Sequence, residues 1–355
     1  MIHRADPGYY GDLFTLEDFD DAVTRDPSYL KLANATTKKN LSYKPSSPGL
    51  EGALSDFREG GTIVLDQLHH RDPKLSMLCR ALVPEFGHRF QTNLYLTPPN
   101  GKGFSPHWDN HDVFILQVVG SKKWHLEKQR RAIPKKGEAM KDEGRELQGE
   151  INTFSLSTGD LIYIPRGFVH AAECEAEESL HITLGVTGVY WEDLLHALIS
   201  AKMRRDPSVA DLLPFGFMNA PPAELTCRAS EILQQLAAEN FINEAVEEFK
   251  DACVTAHKLD TAGQIVDLLR PKPLDISDVV GPRRAMVYQL HSTTDGIRLN
   301  FGARSITFLD IFNEALLFAL QTPSYPISQI PGDLVHEEKI ALTERLMQEG
   351  LVVRK

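Results

Sequence analysis

Ser105-Pro106-His107-Trp108-Asp109, followed three residues later by Val113-Phe114-Ile115-Leu116-Gln117-Val118-Val119, is the stretch on which fold and chemistry both turn. The second run is apolar, apart from Gln117, and rich in β-branched residues, which predicts a buried strand. His107 and Asp109 are two residues apart, and on extended chain such residues point to the same side. An imidazole and a carboxylate can therefore reach one metal ion from one strand edge. A second histidine would complete a two-histidine, one-carboxylate set, the pattern of non-haem Fe(II) oxygenases. Such a set leaves positions open for a bidentate cosubstrate and O₂.

The pair alone is a weak signal. His70-Arg71-Asp72 repeats the spacing, and His336-Glu337-Glu338 offers a histidine and a carboxylate two apart. Asp72-Pro73 marks a turn into a helix, and His336 opens an acidic helix on which residues two apart diverge. Exposed or capping roles are expected for both. The third ligand is expected at His170. It follows Gly159-Asp160-Leu161-Ile162-Tyr163-Ile164-Pro165-Arg166-Gly167-Phe168-Val169, which reads as a turn, a strand and a bend that returns a histidine to the mouth of a barrel. His111, His125 and His181 are expected on neighbouring strands, in structural, substrate-contacting or ligand-supporting roles. Lys122 and Lys123, after the Gly120-Ser121 turn, are both placed to offer a buried carboxylate a cation.

Around these residues, short β-type runs at 91–96, 123–126, 153–156, 161–164 and 180–188 alternate with turns such as Pro98-Pro99-Asn100-Gly101 and Thr158-Gly159-Asp160. This punctuation predicts an all-β sandwich or barrel. The charged stretch 130–150 reads as a solvated insertion. Residues 1–90 mix helix and strand, with a β-type run at 62–65 and helical spacing over 75–86. From Trp191 the period becomes helical: Leu194, Leu195, Leu198 and Ile199 form a stripe, and two more follow at 225–236 and 241–252. These helices form either a core or a dimer interface. Past Pro271-Lys272-Pro273 come β-type runs at 286–291, 296–301 and 305–308, helices over 309–320 and 335–348, and a closing strand at 351–353. That order suggests a winged-helix-like module.

The length of 355 residues exceeds what one core supports. With 42% hydrophobic and 25% charged residues, the composition is that of a soluble globular protein. A net charge of −11 argues against sequence-independent nucleic-acid binding, and no direct DNA contact is expected. A Lys/Arg-rich protein partner suits it better. Cys79, Cys174, Cys227 and Cys253 form no C-x-x-C pair and read as buried thiols of a reducing compartment. The N-terminus lacks the apolar core of a signal peptide, and no run approaches the roughly 20 apolar residues of a membrane span. A cytoplasmic protein is expected.

Several of these segments together resemble one family. Asn93-Leu94-Tyr95-Leu96-Thr97-Pro98-Pro99, Gly103 through Asp109, Asp112 through Gln117, Gly120-Ser121-Lys122-Lys123-Trp124 and Gly159 through Gly167 with His170 look like the ribosomal-oxygenase branch of the JmjC proteins. The start, Asp6 through Phe14, looks like that family's N-terminal region. The resemblance implies an α+β fold: a double-stranded β-helix (jelly-roll or cupin) JmjC barrel over 1–190 with its N-terminal mixed region, a helical dimerisation domain over 191–270, and a winged-helix-like domain over 271–355. It implies Fe(II) held by His107, Asp109 and His170, with 2-oxoglutarate as cosubstrate. Lys122, not Lys123, would then pair with the cosubstrate's distal carboxylate. Asn93 and Thr183 would contact the cosubstrate, and Tyr95 and Gln117 would line the pocket. The implied activity is hydroxylation of a His or Arg in a ribosomal protein by a homodimer. The same chemistry on a peptide natural product, a small molecule or methyl-lysine is an alternative, and a non-catalytic dimeric binding module is a remote one. Trp108 stands where the family usually has Tyr, and His111 where relatives carry an acidic or small residue.

Overall fold

Asp72 and Pro73 do open a helix. The Asp72 carboxylate accepts from Leu75 N at 2.8 Å, and Gly87 closes the last turn at φ 68°, a left-handed conformation that costs glycine little. This spends Asp72 as a cap and removes the His70 motif from the search for a metal site.

A computed structural model describes residues 1–25, 30–34, 39–42, 49–130, 133–138, 146–219, 222–270 and 272–355. Much of the charged stretch read at 130–150, and Pro221 and Pro271, lie outside the described residues. The chain divides into two units, Met1–Gly188 and Val189–Lys355.

The first unit runs α1 (Leu16–Arg25), β1 (Leu30–Asn34), β2 (Lys39–Ser42), α2 (Gly49–Arg58), β3 (Thr62–Leu65), α3 (Pro73–Phe86), β4 (Arg89–Thr97), β5 (Val113–Glu127), β6 (Ile151–Ser157), β7 (Leu161–Ile164), β8 (His170–Glu173) and β9 (Ser179–Thr187). The pairing order is β2-β1-β3-β4-β9-β5-β6, with β7 and β8 also on β5. All these pairs are antiparallel. The first half of β5 lies between β9 and β7, and the second half between β6 and β8. One long strand thus serves two sheets, which is the double-stranded β-helix layout. Among the described residues the pairing path does not close, so the expected barrel is an open one. The turn read at Gly120-Ser121 is a bend inside β5, with Gly120 at φ 64°.

Strand alternation divides the main sheet into two faces. Phe90 and Leu94 on β4, Leu116 and Val118 on β5, and Leu180, Ile182 and Leu184 on β9 pack in one core with Phe14, Phe19, Leu75 and Cys79 from the helical side. Each such large side chain, once buried, contributes about 1.5–3 kcal/mol. The opposite face is left for the site, walled by a second cluster of Val113, Ile115, Trp124, Leu156, Ile162 and Ile164.

The second unit runs α4 (Trp191–Arg205), α5 (Pro222–Leu236), α6 (Glu239–Thr255), α7 (Gln264–Leu269), β10 (Val279–Pro282), β11 (Tyr288–Thr293), β12 (Gly296–Phe301), β13 (Arg304–Phe308), α8 (Asn313–Gln321), β14 (Tyr325–Pro326), α9 (His336–Gln348) and β15 (Val352–Arg354). Its sheets are β14-β10-β15 and β11-β12-β13. Leu299, Phe301, Leu316, Tyr325, Leu346 and Leu351 form its core. The helix read from 309 begins at Asn313, after a single tight turn over Asp310–Phe312. On α4, a stripe at four-residue spacing stays exposed: Trp191 at 81%, Leu195 at 55%, Ile199 at 46% and Met203 at 52%.

Candidate metal centre

His107 and His170 are 63 residues apart in sequence (170 − 107) and directly paired in space. Each backbone N–H donates to the other's carbonyl, at 3.0 Å from His107 and 2.8 Å from His170. Asp109 is tied to the same turn by Gly167 N–H, which donates to its carbonyl at 3.0 Å. One ligand atom from each of His107, Asp109 and His170 lies within 4.8 Å of the others, and the imidazole centroids are 4.5 Å apart. Among the described residues this is the one such cluster of potential ligands.

The ring orientations suit a metal. His107 Nδ1 lies 2.9 Å from Ser105 O, and His170 Nδ1 lies 3.1 Å from Phe168 O. A carbonyl oxygen can only accept, so each Nδ1 carries the proton and each Nε2 keeps a lone pair. This is the supporting hydrogen bond expected of metal-binding histidines. His170 Nε2 faces Asp109 Oδ2 at 3.7 Å. Burial, and then the neighbouring His107, hold His170 well below the ordinary histidine pKa and so favour the neutral, ligating form.

The three side chains open on a cavity of about 60 Å³ whose wall also includes Tyr95, Lys122 and Thr183. Lys122 is 3% exposed; its ammonium donates to Thr97 Oγ1 at 2.8 Å, and Thr97 Oγ1 is 2.8 Å from Thr62 Oγ1. Among the described residues no carboxylate pairs with it, and burial pulls its pKa down to about 8. Lys123, the other candidate, points outward and pairs with Glu175 at 2.7 Å. Burial, together with Asp109 and Asp66, raises the Tyr95 phenol, while a hydrogen bond from Asn93 opposes the rise.

Two expected pocket residues are not in the wall. Gln117 is completely buried behind it, and its Nε2 donates to Val119 O and Ser179 Oγ. Asn93 accepts from Gln67 N at 2.9 Å and acts beside Tyr95. His125 sits between Thr153 and Glu173, away from the cavity. His111 bonds Asn110 Oδ1, and its ring abuts Gly185. Trp124, Thr62 and Phe104 line the cavity without having been singled out from sequence. Trp124 had a signal: it is two residues beyond Lys122 on the same strand.

Comparison with known proteins bears on the fold and on the segment that holds these residues. The JmjC domain family model matches residues 67–194. Human ribosomal oxygenase 1 is 30% identical over 234 residues, covering 62% of this chain and 36% of that protein. The bifunctional lysine-specific demethylase and histidyl-hydroxylase NO66 of Caenorhabditis briggsae is 32% identical over 209 residues, covering 54% of this chain and 26% of that protein. The chain thus spans about a third of the length of the curated relatives it matches. The crystal structure of Escherichia coli ribosomal oxygenase YcfD aligns over 99% of this chain and 92% of that one, with a TM-score of 0.56 at 16% identity. A YcfD structure in complex with cobalt and 2-oxoglutarate aligns with a TM-score of 0.54 at 16% identity, over 99% of this chain and 91% of that one. Residues 67–194 thus match a JmjC domain. The chain is similar in sequence to human ribosomal oxygenase 1 over 234 residues and shares the fold of the YcfD structure.

Proposed function

We propose that this chain is an Fe(II)- and 2-oxoglutarate-dependent oxygenase that hydroxylates a His or Arg side chain of a ribosomal protein. One observation carries the reading: two Nε2 lone pairs and one carboxylate converge beside a buried lysine that has no carboxylate partner among the described residues. A metal answers the first feature and a dicarboxylate the second. The similarity to ribosomal oxygenases and a histidyl-hydroxylase supports the substrate class, as does the net charge of −11 against a basic partner.

In this reading His107, Asp109 and His170 hold the iron, and Lys122 receives the distal carboxylate. Thr183 and Tyr95 wall the cosubstrate's place, Asn93 steadies the Tyr95 hydroxyl, and Gln117 fixes the strand behind. Bound together, iron, 2-oxoglutarate and O₂ supply the oxidising power that protein side chains lack. The chain supplies geometry and dryness. Ser105 O and Phe168 O fix the two ring orientations. Val113, Ile115 and Phe104 keep water from the inner wall. We further propose a homodimer joined through the exposed α4 stripe, acting in the cytoplasm.

The test is succinate formation from 2-oxoglutarate by the purified protein with Fe(II) and ribosomal proteins, with peptide mapping for one added oxygen. Iron-dependent succinate and an oxygenated His or Arg are expected. No succinate under any of these conditions would overturn the proposal.

A further inference from the structure

Two residues of the cavity wall each carry a buried side-chain nitrogen with no partner among the described residues. Trp124 Nε1 and His181 Nδ1 are both buried and unbonded, and their residues are 5% and 3% exposed. A buried polar group is costly to the fold unless something satisfies it. Both residues line the same cavity as Lys122. Lys122 and Trp124 are two apart on β5, and the Trp124 and His181 rings meet edge to face at 5.6 Å. His181 also stacks on Tyr95 with centroids 4.8 Å apart and planes 5° from parallel. That contact, between residues directly opposed on β4 and β9, holds the plane of the imidazole.

The donor count matches one ligand group. Of the three ammonium protons of Lys122, Thr97 Oγ1 takes one. Two remain, with the indole N–H and one imidazole N–H. A carboxylate offers about four lone-pair sites. Burial, and then the Lys122 charge, hold His181 neutral. Lys122 then supplies the charge, while the two rings supply direction.

We propose that Trp124 Nε1–H and His181 Nδ1–H complete, with Lys122, a four-donor cradle for the distal carboxylate of a 2-oxo dicarboxylic acid. This deepens the oxygenase reading and rests on it. Trp124 and His181 are cosubstrate-binding residues whose contribution is confined to that carboxylate. They therefore separate 2-oxoglutarate from 2-oxopentanoate, a 2-oxo acid of equal length that lacks it.

The experiment measures binding of both acids to the Zn(II)-loaded full chain by calorimetry, for wild type, Trp124→Phe and His181→Leu. Wild type should prefer 2-oxoglutarate. Each variant should lose roughly tenfold for 2-oxoglutarate, or about 1.4 kcal/mol, with 2-oxopentanoate unchanged. Variants that keep the full preference would overturn the cradle while leaving the oxygenase reading in place. Equal losses for both acids would overturn it too, as a merely structural effect. A wild type without preference would sink both. A second readout needs no variant: the chain has three tryptophans, so the Trp124 indole N–H signal can be followed by NMR. It should shift on adding 2-oxoglutarate and stay in place with 2-oxopentanoate. A signal unmoved by 2-oxoglutarate would overturn the contact even if a variant failed to fold.

Discussion

The Lys122 ammonium donates to the Thr97 hydroxyl at 2.8 Å, in a corner where Lys122 is 3% exposed and Thr97 is 0% exposed. A cation held this way, with a hydroxyl and no counter-charge among the described residues, is suited to a ligand more than to the empty fold. Replacing it with Met should stabilise the ligand-free protein, because a buried unpaired charge is removed. Binding of 2-oxoglutarate should be lost. The stability gain should also depend on pH. The folded pKa, about 8, lies below the unfolded value of 10.5, so between these pH values the unfolded chain binds more protons. Wild-type stability therefore rises with pH across that window, and the advantage of Lys122→Met shrinks by up to a few kcal/mol. Thermal unfolding of both proteins at pH 7.5 and pH 10, chosen to bracket the window to within about a unit, checks the sign.

Removing a metal ligand should uncouple metal binding from the fold. Asp109→Ala takes away the carboxylate but leaves the backbone bond from Gly167 N to residue 109 O intact. The variant should fold and bind Fe(II) or Zn(II) at least about 100-fold more weakly than wild type, by analogy with the larger end of losses seen around metal sites. In wild type, metal at 100 times its dissociation constant should add about 2.7 kcal/mol of stability, and chelator should remove it. Metal-dependent melting that persists in Asp109→Ala would contradict the assignment.

Gly120 carries the bend in β5. A Cβ there would lie 1.9 Å from Glu178 O, and the residue sits at φ 64°. The obstacle is backbone and cannot swing away. Gly120→Ala should cost about 2–4 kcal/mol, combining overpacking with left-handed strain. A melting temperature equal to wild type would contradict this.

Gly185 is a different case. A Cβ there would meet His111 Nε2 at 2.7 Å, the end of a side chain that can rotate. Gly185→Ala should therefore cost less than about 1.5 kcal/mol and displace the imidazole. Since His111 is two residues from Asp109, its displacement should raise the KM for the protein substrate while leaving 2-oxoglutarate turnover without substrate unchanged. His111→Ala should reproduce the effect, and adding Gly185→Ala to it should change nothing further.

The α4 stripe should govern association. Trp191 and Leu195 are 81% and 55% exposed, on a helix whose apolar residues recur every fourth position. Trp191→Glu with Leu195→Lys should convert dimer to monomer in light scattering without lowering the melting temperature of the first unit's site, followed through metal binding. A wild type that is monomeric at micromolar concentration would refute the dimer.

Local pattern was enough to find the His107–Asp109 pair, the bend before His170 and the sheet around them. Each of those inferences used a repeat of two or a turn residue, which neighbours in sequence impose. The same alternation fails beyond Gln117. Val113 and Ile115 face the cavity, so counting by two would bring in Lys123. The ladder between β5 and β9 shifts register between Gln117 and Val119, and Lys122 and Trp124 face inward instead. A bulge changes which side of the strand is buried, and it is set by pairing with a partner some sixty residues away. Resemblance to relatives, more than spacing, selected Lys122.

The amino-acid order alone settles which elements form and which residue types can ligate, because propensity, capping and period are short-range properties. Whether the two imidazoles meet, which lysine is dry and which nitrogens lack partners depend on contacts between distant strands. Desolvation and pairing exist only once those strands are packed together, so those answers came from the tertiary structure.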